Sequence, residues 1–188
     1  MNNTIKLYAF VGMPGAGKSE AAAYLNSKGL PIIRFGDETD IELKNRGWER
    51  NPKNEKIVRE EIRAQEGMAA YAMRVTRRIQ KLESTVSAII LDGLYSWSEY
   101  KYLKHEFQHL FIIAIFASPQ IRYTRLANRA VRPLTQEEAQ QRDYAEIENI
   151  EKGGPIAMAD YLLINESARE AFLDELEQLY QKLSHQDE

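Results

Sequence analysis

Eight consecutive residues near the start of the chain constrain its fold more than any other feature. They match the pattern G-x-x-x-x-G-K-[ST], which an average chain of this length shows by chance about once in a hundred sequences or less. The eight residues are Gly12, Met13, Pro14, Gly15, Ala16, Gly17, Lys18 and Ser19. Glycines in such a loop let several backbone N–H groups point inward and form an anion-binding cradle. The pattern therefore predicts a loop that binds phosphate groups.

The residues on either side of this loop supply the context that phosphate binding requires. Residues 5–11 are short, apolar and end at glycine, which predicts a buried strand, and residues 19–28 predict a helix. A helix that begins at the loop adds its dipole to the phosphate site. We therefore expect the loop to bind ATP, with Lys18 on the β and γ phosphates and the Ser19 hydroxyl on Mg²⁺. The alternative is a glycine-rich turn without a ligand.

Apolar runs alternate with helical stretches along the rest of the chain, and this rhythm predicts an α/β fold. Further strands are predicted at residues 31–35, 88–91, 110–116 and 161–164, and a last helix at residues 168–183. Strands that are apolar throughout are typical of a parallel sheet covered by helices on both faces. We therefore predict a single domain, residues 1–188, with a five-stranded parallel sheet flanked by helices.

The composition of the chain disfavours some classes of binding partner and indicates a cellular compartment. The net charge of −3 disfavours nucleic acid as a partner, since nucleic-acid-binding proteins usually present a basic surface. No apolar run approaches the ~20 residues that a bilayer crossing needs, so no membrane partner is expected. The chain has no cysteine, and its first residues lack the pattern of a signal peptide. A cytoplasmic location is therefore expected.

A carboxylate follows the third predicted strand. Asp92 comes directly after the apolar run and precedes Gly93. In folds with such a phosphate loop, an acidic residue at this strand end faces Mg²⁺ and also orients or deprotonates an acceptor. We therefore predict that Ser19 and Asp92 bind the metal. The alternative is that Asp92 only begins a turn with Gly93.

Several short motifs occur in the order in which a known family has them. Besides the loop, they include Phe35-Gly36-Asp37, Asp92-Gly93, Arg142-Asp143, and Ala159-Asp160-Tyr161 followed by Asn165. Together they resemble the motifs of a family of dephospho-CoA-kinase-related P-loop proteins, which are similar to adenylate and cytidylate kinases. The resemblance spans nearly the whole chain. It implies a P-loop NTPase fold with a helical acceptor-binding insertion at about residues 37–84 and a lid at about residues 129–145.

The resemblance implies an ATP-dependent kinase that uses Mg²⁺. Its acceptor would be nucleotide-like, such as a nucleoside monophosphate or dephospho-CoA. Two alternatives stay open: transfer to a different small hydroxyl compound, and an ATP-binding regulatory or adaptor protein without a small-molecule acceptor. The insertion favours an enzyme, because a pure ATP switch does not need an acceptor-binding subdomain.

Four residues are predicted to bind the acceptor. Asp37 begins the insertion where related kinases begin theirs, and Arg46 and Arg63 are its predicted phosphate clamps because a guanidinium binds phosphate bidentately. Tyr95 stands where relatives tend to have an arginine, and its ring is expected to pack against an acceptor base or pantetheine arm. The alternative for both arginines is a surface position on polar helices.

Arginines also mark the approach to the lid. Arg122, Arg125, Arg129 and Arg132 recur at intervals of three and four residues, which predicts a basic stripe on one helix face. Arg129 and, from the family motif, Arg142 are expected to meet the charge of the transferring phosphoryl group. The alternative for Arg122 is a solvated helix face with weak ion pairs.

Two polar positions flank the last predicted strand. Asn165 follows the strand where this fold closes over the nucleotide base, so a polar contact to adenine is expected; the alternative is a turn-forming asparagine. Before the strand, residues 152–155 read Lys-Gly-Gly-Pro. They lack the strand-to-helix context of a phosphate loop and predict a flexible joint.

Overall fold

The structure, a computed structural model that describes residues 5–185, contains one parallel sheet. Its strands are β1 (Lys6–Val11), β2 (Ile32–Arg34), β3 (Ala88–Asp92), β4 (Leu110–Phe116) and β5 (Tyr161–Ile164). The order across the sheet is β2, β3, β1, β4, β5, and all neighbours pair in parallel. The predicted five-stranded parallel sheet is confirmed, and β4 and β5 have the predicted bounds. Parallel order brings the carboxyl ends of all strands to one edge.

Helices cover both faces of the sheet, as parallel strands joined by crossovers require. In the described part of the chain they are α1 (Lys18–Ser27), α2 (Asp37–Asn45), α3 (Pro52–Glu66), α4 (Ala70–Leu82), α5 (Trp97–Glu106), α6 (Pro119–Ala127), α7 (Gln136–Ile150), α8 (Gly153–Ala157) and α9 (Arg169–Ser184). None of these helices combines the length and the apolar character that crossing a membrane requires.

The alternation of side chains along β1 divides the core into two layers. Leu7 and Val11 point to the layer formed with helices α2 to α5, whereas Tyr8 and Phe10 point to the layer formed with α1 and α9. All four side chains are almost completely buried. The central strand is therefore held on both faces, and its carboxyl end, where the phosphate loop begins, has a fixed position.

The predicted insertion, residues 37–84, contains α2, α3 and α4. Helix α3 begins at Asn51 and Pro52: the Asn51 side chain accepts a hydrogen bond from the Asn54 N–H at 2.9 Å, and Pro52 takes the first helical position. Val58 and Ile62 of α3 are buried in the layer shared with α4. The insertion thus packs on one face of the sheet.

Candidate functional site

The phosphate loop packs so closely against the ends of β4 and β5 that two of its positions require glycine. Gly12 and Gly17 have φ angles of 143° and 111°, which side chains rarely adopt. A Cβ on Gly12 would lie 2.4 Å from the carbonyl oxygen of Ile115, and a Cβ on Gly17 would lie 2.2 Å from Nδ2 of Asn165. Larger residues at either position would displace the loop.

Lys18 lies folded back on the loop itself. Its Nζ donates hydrogen bonds to the carbonyl oxygens of Gly12 at 2.8 Å and Met13 at 3.1 Å. Burial, followed by repulsion from Lys152, lowers the pKa of Lys18 to about 7, and attraction by Asp92 opposes this shift. The ammonium group is thus buried next to both another amine and a carboxylate, and phosphate oxygens would be better partners for it than carbonyl groups.

The polar groups around the loop fit nucleotide phosphates and a magnesium ion. Ser19 is exposed in the first turn of α1, and Asp92 is partly buried at the end of β3. Burial raises the pKa of Asp92, while Lys18 and then Arg34 act to lower it. Hydroxyl and carboxylate oxygens are the ligands that Mg²⁺ prefers, usually with several waters retained.

A buried arginine supports the loop from behind. Arg122 donates from Nη1 to the carbonyl oxygen of Pro14 at 3.0 Å and from Nε to that of Ala117 at 3.0 Å. It also forms a two-point ion pair with Asp143, at 3.0 and 2.6 Å. Breaking a buried pair of this kind typically costs about 3–5 kcal/mol. Arg122 therefore connects the loop to helix α7.

The predicted basic stripe is wrong. Arg122 is buried instead of solvated, and α6 ends at Ala127, so Arg129 and Arg132 lie on the following loop and not on the same helix face. The spacing of the four arginines suggested one helix, but the chain leaves the helix halfway through the pattern. Arg125 remains on α6 and points toward Asn165.

Asn165 is buried against the phosphate loop. Its Nδ2 donates to the carbonyl oxygen of Ala16 at 2.9 Å, and its Oδ1 accepts a hydrogen bond from Nη2 of Arg125 at 3.2 Å. Together with Gly17 and Arg125 it lines a cavity of about 190 Å³ beside the loop. Both ends of the amide are thus bound to the protein, so Asn165 positions the loop at the edge of this cavity.

A larger cavity of about 520 Å³ lies between the insertion, the end of β3 and helix α7. Its arginines are Arg50, Arg59, Arg63, Arg132 and Arg142. Glu55 lies 3.0 Å from Arg50, 3.8 Å from Arg59 and 3.5 Å from Arg132, and it joins the insertion to the predicted lid. One carboxylate thus faces three guanidinium groups. Four carboxylates, those of Asp40, Glu55, Glu99 and Glu146, also line the cavity, so its lining carries a net charge of +1, which favours an anionic ligand.

Arg63 is the least satisfied of these arginines. Its Nη2 lies 4.0 Å from Oε1 of Glu99, and its Nε is buried without a hydrogen-bond partner among the described residues. The guanidinium also lies over the ring of Tyr71, 5.1 Å from the ring centre. Leaving such a donor unpaired is costly, which suggests that a ligand supplies the missing acceptor.

Comparison with known proteins identifies the family, and the relation to dephospho-CoA kinases stays a prediction. A family model described as an AAA domain matches residues 9–152. A UPF0200 protein of Thermococcus sibiricus is 33% identical over 177 residues, covering 92% of this chain and 93% of the relative. Another, from Sulfurisphaera tokodaii, is 33% identical over 183 residues, covering 95% and 98%. The chain belongs to the UPF0200 family.

Solved structures of low sequence identity share the fold of this UPF0200 chain. TT1252 from Thermus thermophilus has a TM-score of 0.68 at 19% identity, covering 95% of this chain and 98% of that one. Shikimate kinase from Acinetobacter baumannii, in complex with shikimate, has a TM-score of 0.56 at 20% identity, covering 98% and 96%. A gluconokinase from Sinorhizobium meliloti has a TM-score of 0.55 at 14% identity and full coverage of both chains. The fold is that of P-loop kinases.

The structure brings only part of the predicted acceptor set together. Arg63 and Tyr95 line the large cavity, but Asp37 and Arg46 do not. Asp37 pairs with Arg78 at 3.0 Å. The Arg46 guanidinium is held by Glu42, one helical turn earlier at 2.9 Å, and by Glu61 of α3. The expectation that Asp37 and Arg46 contact an acceptor is corrected accordingly, because each side chain already has an ion-pair partner of opposite charge within the protein.

The two predicted lid arginines have different surroundings. Arg142 lines the cavity, and its Nε donates to Oε1 of Glu146 at 2.9 Å. Arg129 instead donates from Nε to the backbone carbonyl oxygen of Arg132. Burial, followed by repulsion from Arg142 and Arg132, lowers the pKa of Arg129. Arg142 and Arg132 thus both lie close enough to repel Arg129, and an anion bound beside Arg129 would relieve this repulsion.

Sequence reasoning missed Lys152 of this UPF0200 chain. The predicted flexible joint is wrong: residues after Lys152 form α8, and a Cβ on Gly154 would lie 2.8 Å from the Trp97 ring. Lys152 itself is only 2% exposed. Its Nζ bonds to Glu146 and lies 4.5 Å from the centre of the Tyr95 ring. No local motif marks such a residue, because its partners come from other segments.

Proposed function

We propose that the chain is an ATP-dependent phosphotransferase whose acceptor binds in the 520 Å³ cavity. The observation that carries this proposal is the junction between loop and cavity. Gly93 and Tyr95 line the cavity directly after Asp92, and Glu146 and Arg142, which also line it, act electrostatically on Lys18. A donor phosphate on the loop and an acceptor in the cavity would therefore meet beside Asp92.

Each polar residue then has a role in transfer. Lys18 and the loop N–H groups hold the β and γ phosphates, and Ser19 and Asp92 hold Mg²⁺. The metal supplies charge neutralisation at the phosphates. Asp92 also orients the acceptor oxygen, which bonds to the γ phosphorus as the bond from that phosphorus to the bridging oxygen of ADP breaks. Where the acceptor oxygen belongs to a hydroxyl, Asp92 accepts its proton.

Arginines of the lid complete the arrangement. Arg142 binds the migrating phosphoryl group, whose charge spreads over three oxygens, and Arg129 adds positive potential next to it. Closure of residues 129–145 over the phosphates excludes water that would otherwise hydrolyse ATP. Asn165 holds the loop beside the small cavity, which is the proposed position of the nucleotide base.

Two acceptor classes are supported by different observations. The motifs resemble those of dephospho-CoA-kinase-related proteins, which supports a nucleotide-like acceptor such as a nucleoside monophosphate or dephospho-CoA. The similarity to shikimate kinase and gluconokinase, together with the buried Arg63 Nε that has no partner among the described residues, supports a small hydroxylated compound with an anionic group. In either case Arg63 anchors the anion and Tyr95 packs beside the acceptor.

ADP release tests the proposal. Purified protein is given Mg²⁺-ATP with a panel of nucleoside monophosphates, dephospho-CoA and small hydroxylated carboxylic acids. Stimulation by one class well above basal hydrolysis, with a matching phosphorylated product, is expected. ATP binding without stimulation by any acceptor would instead favour a regulatory or adaptor protein that changes shape with ATP occupancy.

A further inference from the structure

Glu146 is shared by two cations on the same side of the cavity. Its Oε1 accepts from Nε of Arg142 at 2.9 Å, and its Oε2 accepts from Nζ of Lys152. One carboxylate neutralises only one of these charges. The group of three side chains therefore carries a net charge of +1, close to where phosphate groups are expected.

The two cations differ in how far they are buried. The Lys152 side chain is 2% exposed, whereas that of Arg142 is 45% exposed. A buried ammonium without a counter-charge is very costly, and the Tyr95 ring, 4.5 Å away, compensates only part of that cost. Lys152 must therefore keep Glu146 as its partner, and Arg142 is the cation that is free to exchange partners.

The backbone around Lys152 fixes the position of this residue. Glu151 adopts a left-handed conformation, with φ of 52°, which reverses the chain at the end of α7. The backbone N–H of Lys152 then bonds to the carbonyl oxygen of Glu146 at 3.2 Å, and Gly154 packs against Trp97. Lys152 is thus anchored through both its backbone and its side chain, while Arg142 lies on the cavity wall.

We propose that Lys152 is a positioning residue for phosphoryl transfer: by neutralising Glu146 it leaves Arg142 available to an anion in the cavity. The inference rests on the proposed function, because the anion is the migrating phosphoryl group. Without Lys152, Glu146 and Arg142 would form a neutral pair one helical turn apart. Moving Arg142 to a phosphate would then leave Glu146 as an unpaired, largely buried carboxylate.

Paired substitutions test this role. Lys152→Met is expected to lower kcat for phosphoryl transfer by about 10- to 100-fold, the factor that one charge-assisted hydrogen bond supplies, with little change in KM for ATP. Lys152→Met combined with Glu146→Gln removes the competing carboxylate and restores the net charge of +1. The double variant is therefore expected to recover most of the lost kcat. Arg142→Met provides the reference for complete loss of the guanidinium.

A binding measurement separates this inference from the proposed function. The probe is Mg²⁺-ADP with aluminium fluoride, which mimics the migrating phosphoryl group, titrated without any acceptor. Lys152→Met should weaken binding of this complex relative to Mg²⁺-ADP alone, and the double variant should restore it. The same result would support the inference even if no acceptor in the panel stimulates ADP release.

A lysine elsewhere provides the matched control. Lys104 pairs with Asp160 at 2.8 Å and donates to the carbonyl oxygen of Leu110, at the opposite end of β4. Lys104→Met should leave kcat and analogue binding unchanged, and thermal unfolding should show that all variants fold. Three outcomes would overturn the inference. The Lys152→Met variant could keep the kcat of the wild type, or the double variant could have a kcat as low as that of the single variant. The third is a wild-type protein that binds the analogue no better than Mg²⁺-ADP.

Discussion

The phosphate loop and the large cavity differ in how completely their polar groups are paired within the protein. In the loop, carbonyl oxygens that face the protein have fixed donors: Arg122 bonds to Pro14, and Asn165 bonds to Ala16. In the cavity, charged side chains from separate segments share carboxylates, and Arg63 keeps a buried donor without a partner in the described chain. The loop is therefore preorganised, whereas the cavity has charges that a ligand must complete.

This difference indicates how specificity is divided. A preorganised loop binds a ligand group that is the same in every reaction cycle, the phosphates of the donor, at little reorganisation cost. A cavity whose arginines can exchange carboxylate partners for a ligand selects that ligand by the positions of its negative charges. Changes in the loop should therefore affect all turnover, and changes to cavity residues that bind the acceptor, such as Arg63, should affect only the acceptor.

Lys18→Ala tests the loop side and has the largest expected effect. Loss of this cation should lower turnover by about 1000-fold and weaken ATP binding, because its ammonium group, which bonds to the Gly12 and Met13 carbonyl oxygens in the free protein, is the proposed partner of the β and γ phosphates. ADP release and nucleotide titration measure both quantities, with Lys104→Ala as the control. Turnover within a few-fold of the wild-type value would contradict the assignment of the loop to the ATP site.

Asp92→Asn tests the boundary between the two regions. The substitution keeps the shape of the side chain but removes its charge, so we expect turnover to fall by about 100-fold with ATP affinity nearly unchanged. Activity should also require Mg²⁺. Asp37→Asn is the matched control, since Asp37 pairs with Arg78 outside the cavity. Equal effects of the two substitutions would contradict the assignment of Asp92.

Arg63→Met tests the cavity alone. Losing one charge-assisted contact to the acceptor should lower acceptor kcat/KM by about 30-fold and leave ATP affinity unchanged. Arg46→Met serves as the control, because Arg46 is held by Glu42 and Glu61 away from the cavity. A loss of ATP affinity on Arg63→Met would mean that the two regions do not act separately.

The pH dependence of ATP binding also tests the loop side of the comparison, and its expected effect is smaller than those of the substitutions. Since the pKa of Lys18 is lowered to about 7 in the free protein, Lys18 loses its proton above that pH. Phosphate oxygens favour the charged form, so binding takes up a proton and affinity falls as pH rises. Between pH 7.5 and 8.5 the decrease should approach about tenfold. Calorimetry in buffers of different ionisation enthalpy measures the uptake; none at pH 8 would contradict the shift.

The accuracy of the sequence predictions follows the same division. The loop, β4 and β5 were predictable because each depends on residues adjacent in the chain: glycine spacing in one case and continuous apolar runs in the others. Arg63 and Arg46 looked equivalent, since both are arginines on polar helices of the insertion. Only Arg46 has Glu61 from α3 beside it as well as Glu42 of its own helix, and this pairing could not be read from spacing.

The sequence by itself determined the parallel sheet, the phosphate loop and the position of Asp92 at a strand end. The tertiary structure alone decided that Arg122 is buried behind the loop, that Asn165 holds it, and that Lys152 neutralises Glu146. The physical reason is the range of the interactions. Backbone geometry and apolar periodicity act between neighbours in sequence, whereas the energy of a buried charge depends on which distant groups the fold brings next to it.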